Sequence, residues 1–170
     1  MRGGIRPEII KLQGRLWLTR EEWNRSVKPI MRGGIIGFII GVLPGAGGTI
    51  AAILSYVWEK RISRNPEQFG TGAIEGVAGP EAANNSDTAG AMVPLLTLGI
   101  PGGGATAVML GAFIMYGIQP GPLLFQNRPD LVWGLIDSMY IGNIMLLILN
   151  LPLIGLFVRL LYIPSGILMP

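Results

Sequence analysis

The segment that decides the fold occurs twice, because the sequence reads LPGAGGT at residues 43–49 and IPGGGAT at residues 100–106. The two copies keep a constant offset of 57 residues, from position 43 to position 100, and they share one Pro, two Gly and one Thr. Pro removes a backbone donor and Gly relaxes the helix, so each cluster is expected to end a helix rather than bend it. Apolar residues flank both clusters, and Gly33 matches Gly90 at the same offset. We interpret the pair as an internal repeat, with chance similarity in a chain rich in Gly and Pro as the alternative.

Three apolar runs extend outward from these clusters, over residues 33–58, 89–118 and 131–163. The clusters interrupt the first two runs, and each flank of the first cluster is about 15 Å long as a helix, half of a bilayer core of about 30 Å. The third run exceeds one perpendicular span, so a tilted or Pro-kinked helix, or a helix followed by a short second one, would fit it. Only 14% of the residues are charged, against about 25% in soluble domains. The sequence therefore predicts an all-α integral membrane protein, a polytopic helical bundle with two Gly/Pro-broken or re-entrant helices.

Basic residues are concentrated near the start of the chain, where eight of the 13 Lys and Arg lie between Arg2 and Arg32. Residues 1–28 are interpreted as a basic amphipathic or connecting segment, and residues 29–170 as the transmembrane permease region. A second basic cluster follows the first apolar run at residues 60–64. By the positive-inside rule, the two clusters favour a run that enters and returns from the cytoplasmic side. With that path, an inverted repeat would need the chain to cross the membrane between residues 65 and 87.

Several functional classes are disfavoured by the residues that the chain lacks. It contains no Cys and no His, which removes the Ser-His-Asp and Cys-His catalytic sets and the common zinc sites. The Gly clusters are not followed by the Lys-Ser or Lys-Thr pair of a phosphate-binding loop, so no nucleotide site is predicted. We expect no enzyme activity, no cofactor, no bound structural metal and no nucleic-acid partner.

A broken helix offers two kinds of binding group within a membrane. The helix before the break ends in free carbonyls, which favour cations, and the helix after it begins with free amides, which favour anions. Short Gly/Pro-interrupted segments in corresponding positions of two halves are typical of the binding site of a secondary transporter. Close helix packing is the alternative role for these glycines. The residues predicted to bind an anionic substrate at the breaks are Gly45, Gly47, Gly48, Thr49, Gly102, Gly104 and Thr106. The residues predicted to bind a sodium ion through backbone carbonyls are Val42, Leu43, Gly99 and Ile100.

A polar cluster at residues 81–87 lies just before the second apolar run. Asn84 and Asn85 carry hydrogen-bonding groups without charge, which suits a di- or tricarboxylate that must bind and then leave. A capped helix start is the other interpretation of this cluster. Asp137, inside the third run, is either a proton or sodium ligand or a paired structural charge. An intramembrane hydrolase that pairs Asp87 with Asp137 is an alternative function, although no Gly-x-Gly-Asp motif supports it.

Long stretches of the chain resemble the large membrane subunit of the tripartite tricarboxylate transporter family. The similarity extends over residues 29–170, and its motifs lie at residues 32–51, 72–85, 94–102 and 117–124. The resemblance implies a three-part uptake system in the bacterial inner membrane. A periplasmic solute-binding protein captures the carboxylate, and a small four-helix membrane subunit accompanies the large multi-pass subunit. The large subunit then carries citrate or a related acid by symport, driven by a Na⁺ or H⁺ gradient rather than by ATP.

The chain departs from the family in two respects. Ser86 and Asp87 follow the paired asparagines where the family tends to small residues, and the extra carboxylate is expected to alter substrate or ion preference. The chain also resembles only the middle third of the large subunit. A truncated remnant that does not transport alone is therefore an alternative to a functional permease.

Overall fold

The computed structural model describes residues 17–161, which are helical and contain no strand. This confirms the predicted helical class, whereas the multi-pass arrangement and the internal repeat stay predictions. Residues 18–133 form one compact unit, and a second unit includes the chain from Gly134 onward. The elements are α1 (Arg20–Val42), α2 (Gly47–Ile62), a 3₁₀ turn (Pro66–Gln68), α3 (Glu75–Leu98), α4 (Gly104–Met115), α5 (Leu124–Asn127) and α6 (Pro129–Leu161).

Helix α1 starts within the basic segment rather than at the first apolar run. The Glu22 amide donates to Thr19 Oγ1 at 3.2 Å, and the Thr19 amide donates to Glu22 Oε2 at 2.7 Å. This reciprocal arrangement is a capping box, which fixes the first turn. The helix then continues without a break from residue 28 to residue 29. The division of the chain into residues 1–28 and 29–170 remains a prediction, and residues 1–16 lie outside the described part.

Helices α1 and α3 are in backbone contact along a row of small residues. Glycines four residues apart on α1 lie on one face of that helix. A Cβ added at any of them would collide with a backbone carbonyl of α3, so only Gly allows the two helices to approach this closely. The contacts join Gly33 to Gly79, Gly37 to Ala83, and Gly41 to Asp87.

These contacts also set the direction of the two helices. The residue numbers increase together along α1 and α3, so the helices run in the same direction. The segments that lead into the two breaks are therefore parallel to each other. An inverted relation between them, which the sequence left open, is wrong.

Helix α2 folds back along α1 after the first break. Arg32 on α1 holds Glu59 on α2 through two hydrogen bonds of 2.7 and 2.6 Å. Gly79 of α3 lies against Glu59 and Ser55, so α2 runs opposite to both α1 and α3. Arg25, Lys28 and Arg32 of the first basic cluster thus lie close to Arg64 of the second at one end of this unit. Helices α1 and α2 form a hairpin, as expected of a segment that enters a membrane and returns to the same side. The orientation of this hairpin in a bilayer stays a prediction.

Helix α3 includes the polar stretch that sequence analysis placed before a helix. It begins at Glu75, so residues 81–87 lie in its interior. The cap interpretation of this cluster is wrong, because the first turn is formed by residues well upstream. The stretch is helical since α1 and α2 cover its small residues, among which Gly79 and Ala83 are buried.

Within residues 17–161, one helix is long and apolar enough to cross a membrane. It covers Pro129–Ile154, with a mean hydropathy of 1.7, and α6 continues through Pro152 as a single helix. Helix α4 is apolar but shorter.

Candidate functional site

The two Gly/Pro breaks lie side by side in the structure. The Gly45 amide donates a hydrogen bond of 2.9 Å to the carbonyl of Gly102. Gly102 is buried, and a Cβ there would lie 2.8 Å from the Cβ of Ala91 and 3.2 Å from the Gly41 carbonyl oxygen. The ends of α1 and α3 and the beginnings of α2 and α4 therefore meet at one place.

The first break leaves the N-terminus of α2 without a cap. Gly45 and Gly47 have φ angles of 83° and 75°, a left-handed conformation that L side chains rarely adopt. No side chain caps the helix. Among the described residues, no backbone or side-chain acceptor receives the amides of Gly47, Gly48 or Thr49. The sequence predicted that Gly47, Gly48 and Thr49 bind an anion, and this role stays a prediction.

The second break has additional hydrogen bonds at its turn, although the amides of Gly104, Ala105 and Thr106 at the start of α4 also lack an acceptor among the described residues. Gly99 ends α3 in the left-handed conformation, and its amide donates to the carbonyl of Leu95 at 3.0 Å. At the start of α4, the Gly103 amide donates to Thr106 Oγ1 and the Thr106 hydroxyl donates to the Gly103 carbonyl, both at 2.9 Å. Thr106 is 3% exposed. Its hydroxyl therefore ties the first turn of α4 to Gly103, and the predicted contact of this hydroxyl to substrate would require these two bonds to break.

The two threonines of the repeat thus have different surroundings. Thr49 is exposed, and its hydroxyl has no partner among the residues that the structure describes. Thr106 is buried and bonded. Because Thr49 and Thr106 occupy matching positions of the repeat, the sequence did not predict this difference. It arises from the turn that precedes each helix.

Replacing Thr106 by Val is expected to destabilise the unit by about 1 kcal/mol, the usual net contribution of an intramolecular hydrogen bond. Thr49→Val, which removes no hydrogen bond, is the matched control and should leave the thermal midpoint of the purified protein unchanged. Equal shifts for both variants would contradict the different roles of the two hydroxyls.

Packing explains some of the break glycines and not others. A Cβ at Gly102 would contact backbone atoms, so this Gly permits close packing. At Gly45, Gly47 and Gly104 a Cβ would meet nothing within 4 Å. The first two are required by their φ angles, whereas Gly104 faces open space with an ordinary backbone. Packing alone therefore does not account for the clusters.

The polar cluster on α3 divides between two sides of the helix. Asn84 Oδ1 lies against Gly48, and Asp87 Oδ2 would lie 3.4 Å from a Cβ built there. Asn85 instead donates from Nδ2 to the carbonyl of Glu81 at 3.1 Å. The structure thus brings Asn84 and Asp87 to the uncapped N-terminus of α2, and it does not bring Asn85 there. In the sequence, Asp87 was noted as a departure from the family and as one acid of the hydrolase alternative, and it was not predicted to lie at a break.

The predicted cation-binding carbonyls differ in their availability. The Leu43 carbonyl accepts the Ala46 amide at 3.3 Å, whereas the Val42 carbonyl has no donor among the described residues. Gly99 and Ile100 lie at the end of α3, where Gly99 approaches the Pro120 carbonyl of the following loop. Asp137 is exposed and lies on the part of α6 that belongs to the second unit. The ion-binding role of all five residues, Asp137 included, stays a prediction.

Comparison with known families identifies the chain. Residues 4–170 match the model of the tripartite tricarboxylate transporter TctA family. The chain belongs to this family. The resemblance of its motifs to the large membrane subunit is therefore confirmed at the level of the family.

Two relatives of Agrobacterium vitis are similar over most of the chain. One is described as an uncharacterized 52.8 kDa protein in the TAR-I ttuC′ 3′ region, and it is 54% identical over 155 residues, which are 91% of this chain and 31% of the relative. The other is described as an uncharacterized protein in the TAR-II ttuC′ 3′ region, and it is 55% identical over 134 residues, 79% of this chain and 55% of the relative. The chain thus spans about a third and about half of their lengths. No solved structure matches it.

Membership in the TctA family bears on the hydrolase alternative. The family is one of transporters with several components, which argues against an enzyme.

Proposed function

We propose that this chain is part of the translocating subunit of a secondary transporter for citrate or related di- and tricarboxylates. The observation that carries the proposal is the uncapped N-terminus of α2, which is joined through Gly45 and Gly102 to the second break. Free amides at a helix N-terminus bind anions without a fixed positive charge. A site built in this way can release a carboxylate as well as bind it.

In this proposal the carboxylate is received by the amides of Gly47, Gly48 and Thr49, together with the Thr49 hydroxyl and the Asn84 side chain. Asn85, Gly104 and Thr106 were predicted as further contacts. Of these, Gly104 is exposed at the start of α4 and leaves space for a second carboxyl group. Asn85 and Thr106 have partners within the protein.

The proposal includes an inner-membrane, multi-pass location for the whole subunit. The outer faces of α1 and α2 and the length of α6 carry exposed large apolar side chains, for which lipid or neighbouring helices are the expected cover. Examples are Ile35, Ile39, Ile53, Val57, Ile144 and Leu147. The periplasmic solute-binding protein, the small four-helix subunit and the Na⁺ or H⁺ gradient are further parts of the proposal, supported by the family.

Uptake of labelled carboxylates tests the proposal. The chain is expressed in place of the matching 155-residue region of the 52.8 kDa Agrobacterium vitis relative, together with the small subunit and the binding protein. Citrate and related di- and tricarboxylates are then compared. Asn84→Ala and Thr49→Val are expected to reduce uptake efficiency about tenfold or more, because each removes a hydrogen bond to a charged group.

Asn85→Ala distinguishes the structural from the sequence-based prediction. Because Asn85 is bonded to its own helix, uptake should stay within about twofold of wild type. If Asn84→Ala and Thr49→Val transport normally at normal abundance, the substrate site lies elsewhere. If the unsubstituted protein takes up no carboxylate, the proposed function itself is wrong.

A further inference from the structure

Asp87 is a buried carboxylate that the structure leaves incompletely bonded. The residue is 8% exposed, and its Oδ1 is buried without a hydrogen-bond partner in the described part of the chain. Within residues 17–161, Asp87 takes part in no ion pair. An ionised carboxylate in such a place is strongly disfavoured unless a cation or a proton accompanies it.

The contacts of Asp87 with its neighbours involve no charged group. On its own helix, Asn84 directs Oδ1 to the same point at Gly48 that Asp87 Oδ2 approaches. On α1, Gly41 packs against the backbone carbonyl of Asp87, and on α2 the Asp87 carboxylate approaches Gly48. None of these residues is titratable. Carboxylate, amide and carbonyl oxygens are ligands for hard cations, and a carboxylate beside an amide oxygen can also hold a proton.

The position of the Asp87 carboxylate affects substrate binding at the N-terminus of α2. Its Oδ2 lies beside the first turn of α2, whose free amides are the proposed carboxylate site. A negative Asp87 repels an anion at these amides, and the repulsion is strong where water is excluded. When a cation cancels that charge, the amides become available to the substrate.

We infer that Asp87 binds the coupling cation, a sodium ion or a proton, and that this binding permits the carboxylate to bind at the N-terminus of α2. The inference rests on the proposed function and adds the residue that links cation to substrate. Because the coupling is reciprocal, bound substrate should raise the affinity for the cation by the same factor.

The test uses membrane vesicles with the complete transporter described above and labelled citrate, or the acid that the uptake screen selects. A sodium gradient without a pH gradient, and the reverse, show which cation drives accumulation in the wild type. Asp87→Asn replaces the carboxylate by a neutral group of the same shape. We expect gradient-driven accumulation to fall below about a tenth of wild type.

Exchange of labelled for unlabelled substrate at equilibrium separates coupling from structure. Since Asn imitates the neutralised carboxylate, exchange should stay within about threefold of wild type and should lose its dependence on the cation. Thr88→Val, at the exposed neighbouring position, is the control and should keep accumulation, exchange and cation dependence.

Two results would overturn the inference: accumulation by Asp87→Asn with the wild-type cation dependence, or equal loss of accumulation and exchange. If Asp87→Asn does not reach the membrane in normal amounts, Asp87→Glu decides. This variant should shift the half-saturating cation concentration about fivefold or more, and an unchanged value would overturn the inference. Absence of accumulation by the wild type under both gradients would instead refute the proposed function, and with it the inference.

Discussion

Replacing Arg32 by Gln is expected to lower the free energy of unfolding by about 3 kcal/mol, the lower end of the range found when one partner of a buried ion pair is removed, because the Arg32 side chain itself is 35% exposed. Glu59 is 2% exposed, and Arg32 supplies both of the hydrogen bonds to its carboxylate. Without the guanidinium, this carboxylate is left buried and uncompensated. The pair joins α1 to α2, so the hairpin around the first break should open before the rest of the unit.

Arg25→Gln is the matched control for this prediction. Arg25 pairs with Glu75 in the same two-bond geometry, but the two side chains are 45% and 24% exposed. Exposed pairs contribute about 1 kcal/mol or less. Thermal unfolding and proteolysis of the purified full-length protein in detergent should therefore show a large shift for Arg32→Gln and a small one for Arg25→Gln.

The double variant Arg32→Met/Glu59→Met refines the explanation. Replacing a buried ion pair by apolar residues of similar volume is often neutral or stabilising. The double variant should therefore be clearly more stable than Arg32→Gln. If it is equally unstable, the loss comes from packing of the Arg32 side chain, and the account based on an uncompensated charge is wrong.

The sequence predicted the helix ends where local chemistry determines them. The Pro and Gly of residues 43–49 and 100–106 end α1 and α3 as expected, since Pro and Gly act within one turn. The start of α1 also had a local signal, because Thr19 and Glu22 have the spacing of a capping box. This signal lies before the first apolar run, so the apolar pattern alone does not indicate it.

The start of α3 could not be found in this way. Its first half is rich in small and polar residues and belongs to no apolar run, so the sequence did not indicate where the helix begins. These residues form a helix because the glycine row of α1 packs against them, and that contact joins positions about 46 residues apart, such as 33 and 79. Tertiary packing decides secondary structure here, which no short window of sequence reveals.

The same distinction applies to the candidate site. Free amides at a broken helix follow from the break, so Gly47, Gly48 and Thr49 could be predicted. The approach of Asn84 rather than Asn85 depends on the rotation of α3 against α2. The hydrogen bond between Gly45 and Gly102 likewise depends on how three helices pack together.

Gly37→Ala is expected to destabilise the protein by about 3 kcal/mol, at the upper end of the usual range for overpacking. The added Cβ would collide with the carbonyl oxygen of Ala83, and it would also come within 2.7 Å of the Ala83 carbonyl carbon and Cα. Backbone atoms cannot move aside as a flexible side chain can, so α1 and α3 must separate.

Gly34→Ala is the control, because a Cβ at Gly34 meets nothing within 4 Å. Ala favours helix over Gly by up to about 1 kcal/mol, so this variant should be as stable as the wild type or more stable. Equal destabilisation by both variants in thermal unfolding would show that the helix contact is not the cause.

The separation of α1 and α3 should also disturb the candidate substrate site, since the same face of α1 carries Gly41, which contacts Asp87. Gly37→Ala is therefore expected to lose carboxylate uptake even in the fraction that reaches the membrane, whereas Gly34→Ala should transport normally.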